Sequence, residues 1–93
     1  MALLDLLGQR WVLRIVWELR NGPMTSRALR QATGDISPTV LQARVDTLRG
    51  GLILELGREG YQLTKLGEGL LESFAPLYRY AAIWARALEG DPP

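Results

Sequence analysis

The sequence predicts an α+β chain, mostly helical, and three stretches predict it. Asp35-Ile36-Ser37-Pro38-Thr39 opens a helix, because Ser37 is a good N-cap and Pro38 suits the first helical position. Gly50-Gly51 stops that helix, Leu52 to Leu56 reads as a strand, and Gly57-Arg58-Glu59-Gly60 turns into the short strand Tyr61-Gln62-Leu63. Beyond the hairpin, Thr64 caps a last helix from Lys65 to about Leu88. A capped helix with a small polar outer face, followed at once by a hairpin, is the winged helix-turn-helix arrangement. The fold expected is therefore that domain, with a short two-stranded wing and terminal helices used for dimerisation.

Ninety-three residues make one domain, 1–93, divided into a winged core over 9–63 and a dimerisation helix over 64–90. Hydrophobic content of 47% is more than a lone domain of this size comfortably hides, which points to association. Cysteine and histidine are both absent, removing disulfides, thiolate chemistry, the usual general base and the commonest zinc ligand. Catalysis would then fall to paired carboxylates, a serine-lysine pair or a metal held by oxygen. Asp5, Asp35, Asp46, Glu55, Glu68 and Glu72 are scattered over different elements, so the chain is not read as an enzyme and no cofactor or metal is expected. No apolar run has the length of a membrane span and no leader-like segment opens the chain, which places it in the cytoplasm. The net charge is only +1, although every basic residue except Lys65 is an arginine.

Taken in order, Leu3 to Leu7 is a short apolar turn ending at Gly8, and a helix follows from about Gln9 to Arg20. Trp11, Val12, Ile15, Val16 and Leu19 fill one broad face of it, and Leu13 and Trp17 widen the apolar arc. A helix apolar around that much of its circumference is central or lies against a partner. Trp11 and Trp17 read as core, with ligand stacking the alternative. Asn21-Gly22-Pro23 breaks the chain, Thr25 or Ser26 caps a short helix over Arg27 to Ala32, and burial of Ala28, Leu29 and Ala32 would fix that helix against the one before. Thr33-Gly34-Asp35 is the tight turn of the motif. Within the next helix Val40, Leu41, Val45 and Leu48 share one face, and Thr39, Gln42, Ala43 and Asp46 the other. In the last helix Leu70, Leu77 and Trp84 form one column and Phe74, Ala81 and Leu88 another, the seam of a helix pair. Pro76 should bend this helix without breaking it, since the stripe keeps its phase. Gly90-Asp91-Pro92-Pro93 reads as a frayed tail.

These residues resemble the HxlR family of winged-helix transcriptional regulators, relatives of the MarR group. The matching stretches are Leu6-Leu7-Gly8-Gln9-Arg10-Trp11 with Ile15 and Leu19; Gly22-Pro23 and Leu29; and Ile36-Ser37-Pro38 with Val40-Leu41, Arg44, Val45 and Leu48. They continue through Gly51-Leu52-Ile53, Tyr61-Gln62-Leu63-Thr64 and Gly67, so order and spacing agree from about Leu3 to Tyr80. The resemblance implies a homodimer joined through its terminal helices that binds an operator of two-fold symmetry. Three departures accompany it. The chain lacks the cysteine that many members carry ahead of the first long helix. The family's longer, basic hairpin shrinks to Gly57-Arg58-Glu59-Gly60. Thr39 and Asp46 stand where basic residues are frequent.

For double-stranded DNA, Thr39, Gln42 and Ala43 are the base-reading candidates: glutamine can pair bidentately with adenine, and the methyls of Thr and Ala can meet thymine. Ser37 brings a hydroxyl and helix-terminal N–H groups toward a phosphate. Arg27, Arg30 and Arg58 are candidate backbone contacts. Arg44 lies on the inward side by helix angle, so it either contacts a phosphate or packs its stem and caps a carbonyl; Arg10 divides between phosphate contact and an ordinary solvated charge. The bland alternative for Thr39, Gln42 and Ala43 is a solvated helix face. Dimerisation is assigned to Leu13, Trp17, Leu70, Phe74, Leu77, Ala81 and Trp84. A cavity near Trp11, Trp17, Phe74 and Tyr78 could hold a small apolar effector or be solid core. The alternative function is a winged-helix interaction module with weak or no DNA binding.

Overall fold

The computed structural model describes residues 2–34 and 36–90. Asp35 of the expected turn and Asp91-Pro92-Pro93 of the expected tail lie outside them. The elements are α1 (Ala2–Leu7), α2 (Val12–Glu18), a 3-10 turn (Leu19–Asn21), α3 (Ser26–Thr33), α4 (Pro38–Gly50), β1 (Leu54–Gly57), β2 (Gly60–Leu63) and α5 (Lys65–Leu88). This is the winged helix-turn-helix that the sequence predicts, mostly helical with one antiparallel two-stranded sheet. No helix among the described residues is long and apolar enough to cross a membrane.

Helix α2 is the centre of the core. Val12, Ile15 and Val16 are fully buried, and Leu19 nearly so. Around them pack Leu29 of α3, Leu41, Val45 and Leu48 of α4, Ile53 and Leu54 beside the wing, and Phe74 of α5. Arg14 ties α2 to α3 through the polar side, its Nε donating to Glu18 Oε2 at 2.8 Å and its Nη2 to the Ala32 carbonyl at 3.0 Å.

The first forty residues differ from expectation at two joints. Leu3 to Leu7 belongs to a full helical segment, α1, and α2 begins at Val12, not at Gln9. Between them a tight corner is held by Gly8 N–H to the Leu4 carbonyl, Gln9 N–H to Leu6 and Val12 N–H to Gln9. Trp11 sits at φ 80°, a left-handed conformation that costs a bulky L-residue about 1–2 kcal/mol. No Ser, Thr, Asp or Asn occupies 8–11, so the sequence carries no start signal there. At the far end the breaker Asn21-Gly22-Pro23 acts early, and the helix tightens into the 3-10 turn from Leu19.

Three N-caps form. Thr25 Oγ1 accepts from Ala28 N–H at 3.1 Å, Ser37 Oγ from Val40 N–H at 3.1 Å and Thr64 Oγ1 from Gly67 N–H at 3.0 Å. The glycines at the end of α4 do not take the left-handed position. That falls on Leu52, at φ 64°, in a Schellman-type ending: Ile53 N–H meets the Leu48 carbonyl at 2.9 Å and Leu52 N–H meets Arg49 at 3.0 Å. The strand therefore starts at Leu54, two residues later than the apolar run suggests.

The wing pairs Leu54 with Leu63, Glu55 with Gln62, Leu56 with Tyr61 and Gly57 with Gly60, leaving Arg58-Glu59 as a two-residue loop. Met24 adds a third strand of one residue, exchanging hydrogen bonds with Tyr61 at 2.9 and 3.0 Å. Gly60 lets it do so: its φ is 129°, and a Cβ there would run into the Met24 backbone. Helix α5 continues unbroken through Pro76. The residue that loses its donor to that proline is Glu72, four positions back and exposed to solvent like Pro76 itself, which limits the penalty.

The start of α5 is locked to the α4–β1 junction. Thr64 donates its N–H to the Ile53 carbonyl at 3.0 Å and its hydroxyl to the Leu52 carbonyl, and Gly67 packs so closely that a Cβ would collide with the Ile53 carbonyl oxygen. Gly67→Ala is accordingly expected to lower stability by about 1–3 kcal/mol through overpacking. Urea unfolding of the two proteins checks this; a difference inside about 0.5 kcal/mol, the range of ordinary surface substitutions, would show that the contact relaxes freely.

Candidate nucleic-acid interface

The buried side of α4 is Leu41, Val45 and Leu48, with Val40 partly covered, so Thr39, Gln42, Ala43 and Asp46 are turned outward and exposed. The helix phase alone sets this division. Ser37 is exposed at the N-terminus with its oxygen occupied by the Val40 N–H, and its hydroxyl hydrogen remains free to donate. Arg27 and Arg30 are exposed on α3 and line one shallow hollow with Gln31, Gly34 and Ile36. Arg58 borders a second hollow with Thr25, Ser26, Leu56 and Tyr61, between the wing and the start of α3. Arginines thus line both hollows, one along α3 and one between the wing and the start of α3.

Two side chains on that face are not independent. Gln42 Nε2 donates to Asp46 Oδ1 at 2.8 Å, one helical turn apart. One amide hydrogen is committed to the carboxylate; the second hydrogen and the amide oxygen still point outward. Asp46 therefore orients Gln42 as well as placing a negative charge on the face. Arg49 shares this face, seven residues on from Gln42, and lines a groove with Asp46, Glu55 and Leu56. The sequence reading passed over Arg49, although its spacing from Gln42 was the signal.

Arg44 does not point with them. Half-buried, it donates Nε to the Arg10 carbonyl at 2.8 Å, the carbonyl-capping alternative of the sequence reading. Arg10 itself is exposed, with its guanidinium 5.0 Å over the Trp11 ring.

The residues assigned to dimerisation divide in two. Phe74 is in the domain's own core, and Leu13, Trp17 and Leu70 are half-buried against it. Trp17 stacks on Tyr78 with centroids 4.1 Å apart and planes 11° from parallel, while Arg20 covers it at 4.3 Å and donates to its carbonyl. Phe74 lies 6.4 Å from Tyr78 with the rings tilted by 51°, so aromatic packing joins Trp17, Tyr78 and Phe74 at this junction. The first half of α5 packs on its own domain through Leu70, Leu71 and Phe74, with Leu66 exposed, and the second half is largely bare: Leu77, Ala81 and Trp84 are exposed, with Tyr80, Ile83 and Leu88 beside them. An apolar hollow of about 670 Å³ does exist, but between α1 and the start of α5, bordered by Leu3, Leu6, Leu7, Leu66, Leu70 and Phe74.

The sequence matches the HxlR-like helix-turn-helix family over residues 6–89. The chain belongs to that HxlR-like family. A possible HxlR family transcriptional factor from Thermoplasma volcanium GSS1 superposes with a TM-score of 0.83 at 30% identity, over 89% of this chain and 81% of that one. The quinone-bound form of YodB from B. subtilis gives 0.80 at 28% identity, over 87% and 92%. The reduced form of the transcriptional regulator YodB gives 0.75 at 28%, over 86% and 85%. A comparison with curated proteins returned no match. In this chain Asp46 engages Gln42 on the face toward solvent, and the wing ends in a two-residue loop.

Ser37 has a structural duty apart from any ligand. Ser37→Ala should lower stability by about 1 kcal/mol by stripping the cap from Val40 N–H, and Ser37→Asp should restore most of it. Thermal or urea unfolding of the three proteins decides; an unchanged alanine variant would mean that water replaces the cap at no cost.

Proposed function

We propose that this protein is a sequence-specific, DNA-binding transcriptional regulator that works as a homodimer. The observation that carries the reading is the exposed α4 face of Thr39, Gln42 and Ala43, accompanied by exposed arginines on α3 and the wing, in a chain of the HxlR-like family. Gln42, already oriented by Asp46, keeps both an acceptor and a donor for adenine. Ser37, Arg27, Arg30 and Arg58 contact phosphates, and Thr39 and Ala43 meet the floor of the major groove. The occupant of the bare second half of α5 is a second copy of the chain. Leu77 and Trp84 are 63% and 58% exposed there, too much contiguous apolar surface for a helix that remains in water.

Two-fold pairing sets the two α4 helices about one turn of B-DNA apart, which predicts a palindrome-like operator. Selection from a random duplex library at fixed salt tests the reading. Failure to enrich such a sequence at low salt would favour the interaction-module alternative, to which the short wing and the acidic Asp46 and Glu59 lend support. The hollow beside α1, with Lys65 among its lining, suits a small apolar effector, and no thiol is present to capture it through sulfur.

Leu77→Asp should dissociate or unfold the dimer, because a charge at that seam loses both burial and partner. Sedimentation equilibrium of the unmodified protein at low micromolar concentration provides the reference, and a clean monomer near 10.4 kDa would overturn the dimer. On DNA, Gln42→Ala should relax preference at one base position per half-site, by about 1–3 kcal/mol. Arg58→Ala should weaken selected and scrambled duplexes alike, and lower the slope of log affinity against log salt by up to about two units for the dimer. Asp46→Lys should tighten binding to every sequence while loosening the preference that Gln42 confers. Unchanged affinity of a folded Asp46→Lys dimer for both duplexes would show that this face does not approach DNA.

A further inference from the structure

Arg44 is an α4 residue whose partner lies outside the DNA face. The Arg10 carbonyl precedes the left-handed Trp11, so it falls just outside the first turn of α2, and among the described residues no backbone N–H reaches it. Arg44 Nε supplies the hydrogen bond that the helix cannot. The contact spans thirty-four residues and joins the middle of α4 to the corner from which α1 departs. On its other side α1 carries Leu3, Leu6 and Leu7 into the apolar hollow against α5. Gly51, the C-cap of α4, lines the same hollow, so α1 meets the end of α4 directly while Arg44 holds its middle to the corner.

We propose that Arg44 is a positioning residue: it fixes the setting of α4, and with it the DNA-reading face, against the α1–α2 corner without touching a phosphate. This rests on the DNA-binding reading above. The atom used makes the proposal testable, because it is Nε, not the terminal guanidinium nitrogens, that bonds the carbonyl. Lysine carries a methylene at that point in its chain. Arg44→Lys therefore keeps the charge a phosphate contact needs and loses the donor the corner needs.

Arg44→Lys and Arg44→Met should both reduce affinity for a selected duplex about tenfold. Both should leave affinity for scrambled DNA and the salt slope as in the unmodified protein, and speed amide hydrogen exchange at Val12 and Ile15. A phosphate contact gives a different pattern: Arg44→Met weakens both duplexes alike and lowers the salt slope by about two units for the dimer, while Arg44→Lys behaves as the unmodified protein. That pattern overturns the proposal, and so does unchanged duplex affinity or unchanged exchange in a folded variant. If the unmodified protein binds no duplex at all, it is the DNA-binding reading that fails, and the exchange rates alone judge the link to the corner.

Discussion

Everything in this domain depends on the burial of one short helix. Val12, Ile15 and Val16 of α2 have no exposed surface, and each of the other elements that builds the core does so by touching that helix or its neighbours. Burying three β-branched side chains completely is worth roughly 1.5–3 kcal/mol apiece, which in a chain of 93 residues is a large share of the margin by which it folds. The constraint also fixes what faces outward. With Leu41, Val45 and Leu48 committed to the common core, the polar residues of α4 have only the opposite face. With Phe74 committed as well, α5 must project its remaining apolar residues beyond the domain.

The parts of the fold that were legible in the sequence are those with local chemistry. Ser37-Pro38 and Thr64 each combine a cap with a following periodic stretch, and both helices start where those residues say, while of Thr25 and Ser26 it is Thr25 that caps a helix one residue longer at each end than Arg27 to Ala32. The hairpin was legible for the same reason, since glycines bracket a loop that needs them. The joints were not legible. The start of α2 depends on Trp11 adopting a backbone conformation that no local signal favours. The third strand is a single residue, Met24, with no alternation around it, and it exists because Gly60 permits close approach from far along the chain. At Leu52, two glycines next door disguised which residue turns left-handed.

The candidate site divides along the same line. Helix phase alone placed Thr39, Gln42 and Ala43 outward and Arg44 inward. It could not show that Gln42 and Asp46 form a pair, although they sit at the spacing where side chains of one helix meet. Nor could it find the partner of Arg44, which is a carbonyl and therefore invisible to any reading of side chains. The seven-residue pattern of α5 was read as one continuous seam. Its first half is absorbed by the domain's own core, because a stripe of apolar residues looks the same whether its partner lies in the same chain or in another.

The brevity of the wing also has an entropic side. A two-residue loop between paired strands, pinned from below by the Met24 bridge and closed by Gly60, has few conformations to lose when it meets another molecule. Longer wings gain reach, but they must be ordered on contact, at roughly 0.5–1.5 kcal/mol for each side chain immobilised. This wing gives up reach and charge for readiness. Its contribution to association would come from shape already present, with little heat or entropy of folding to accompany it.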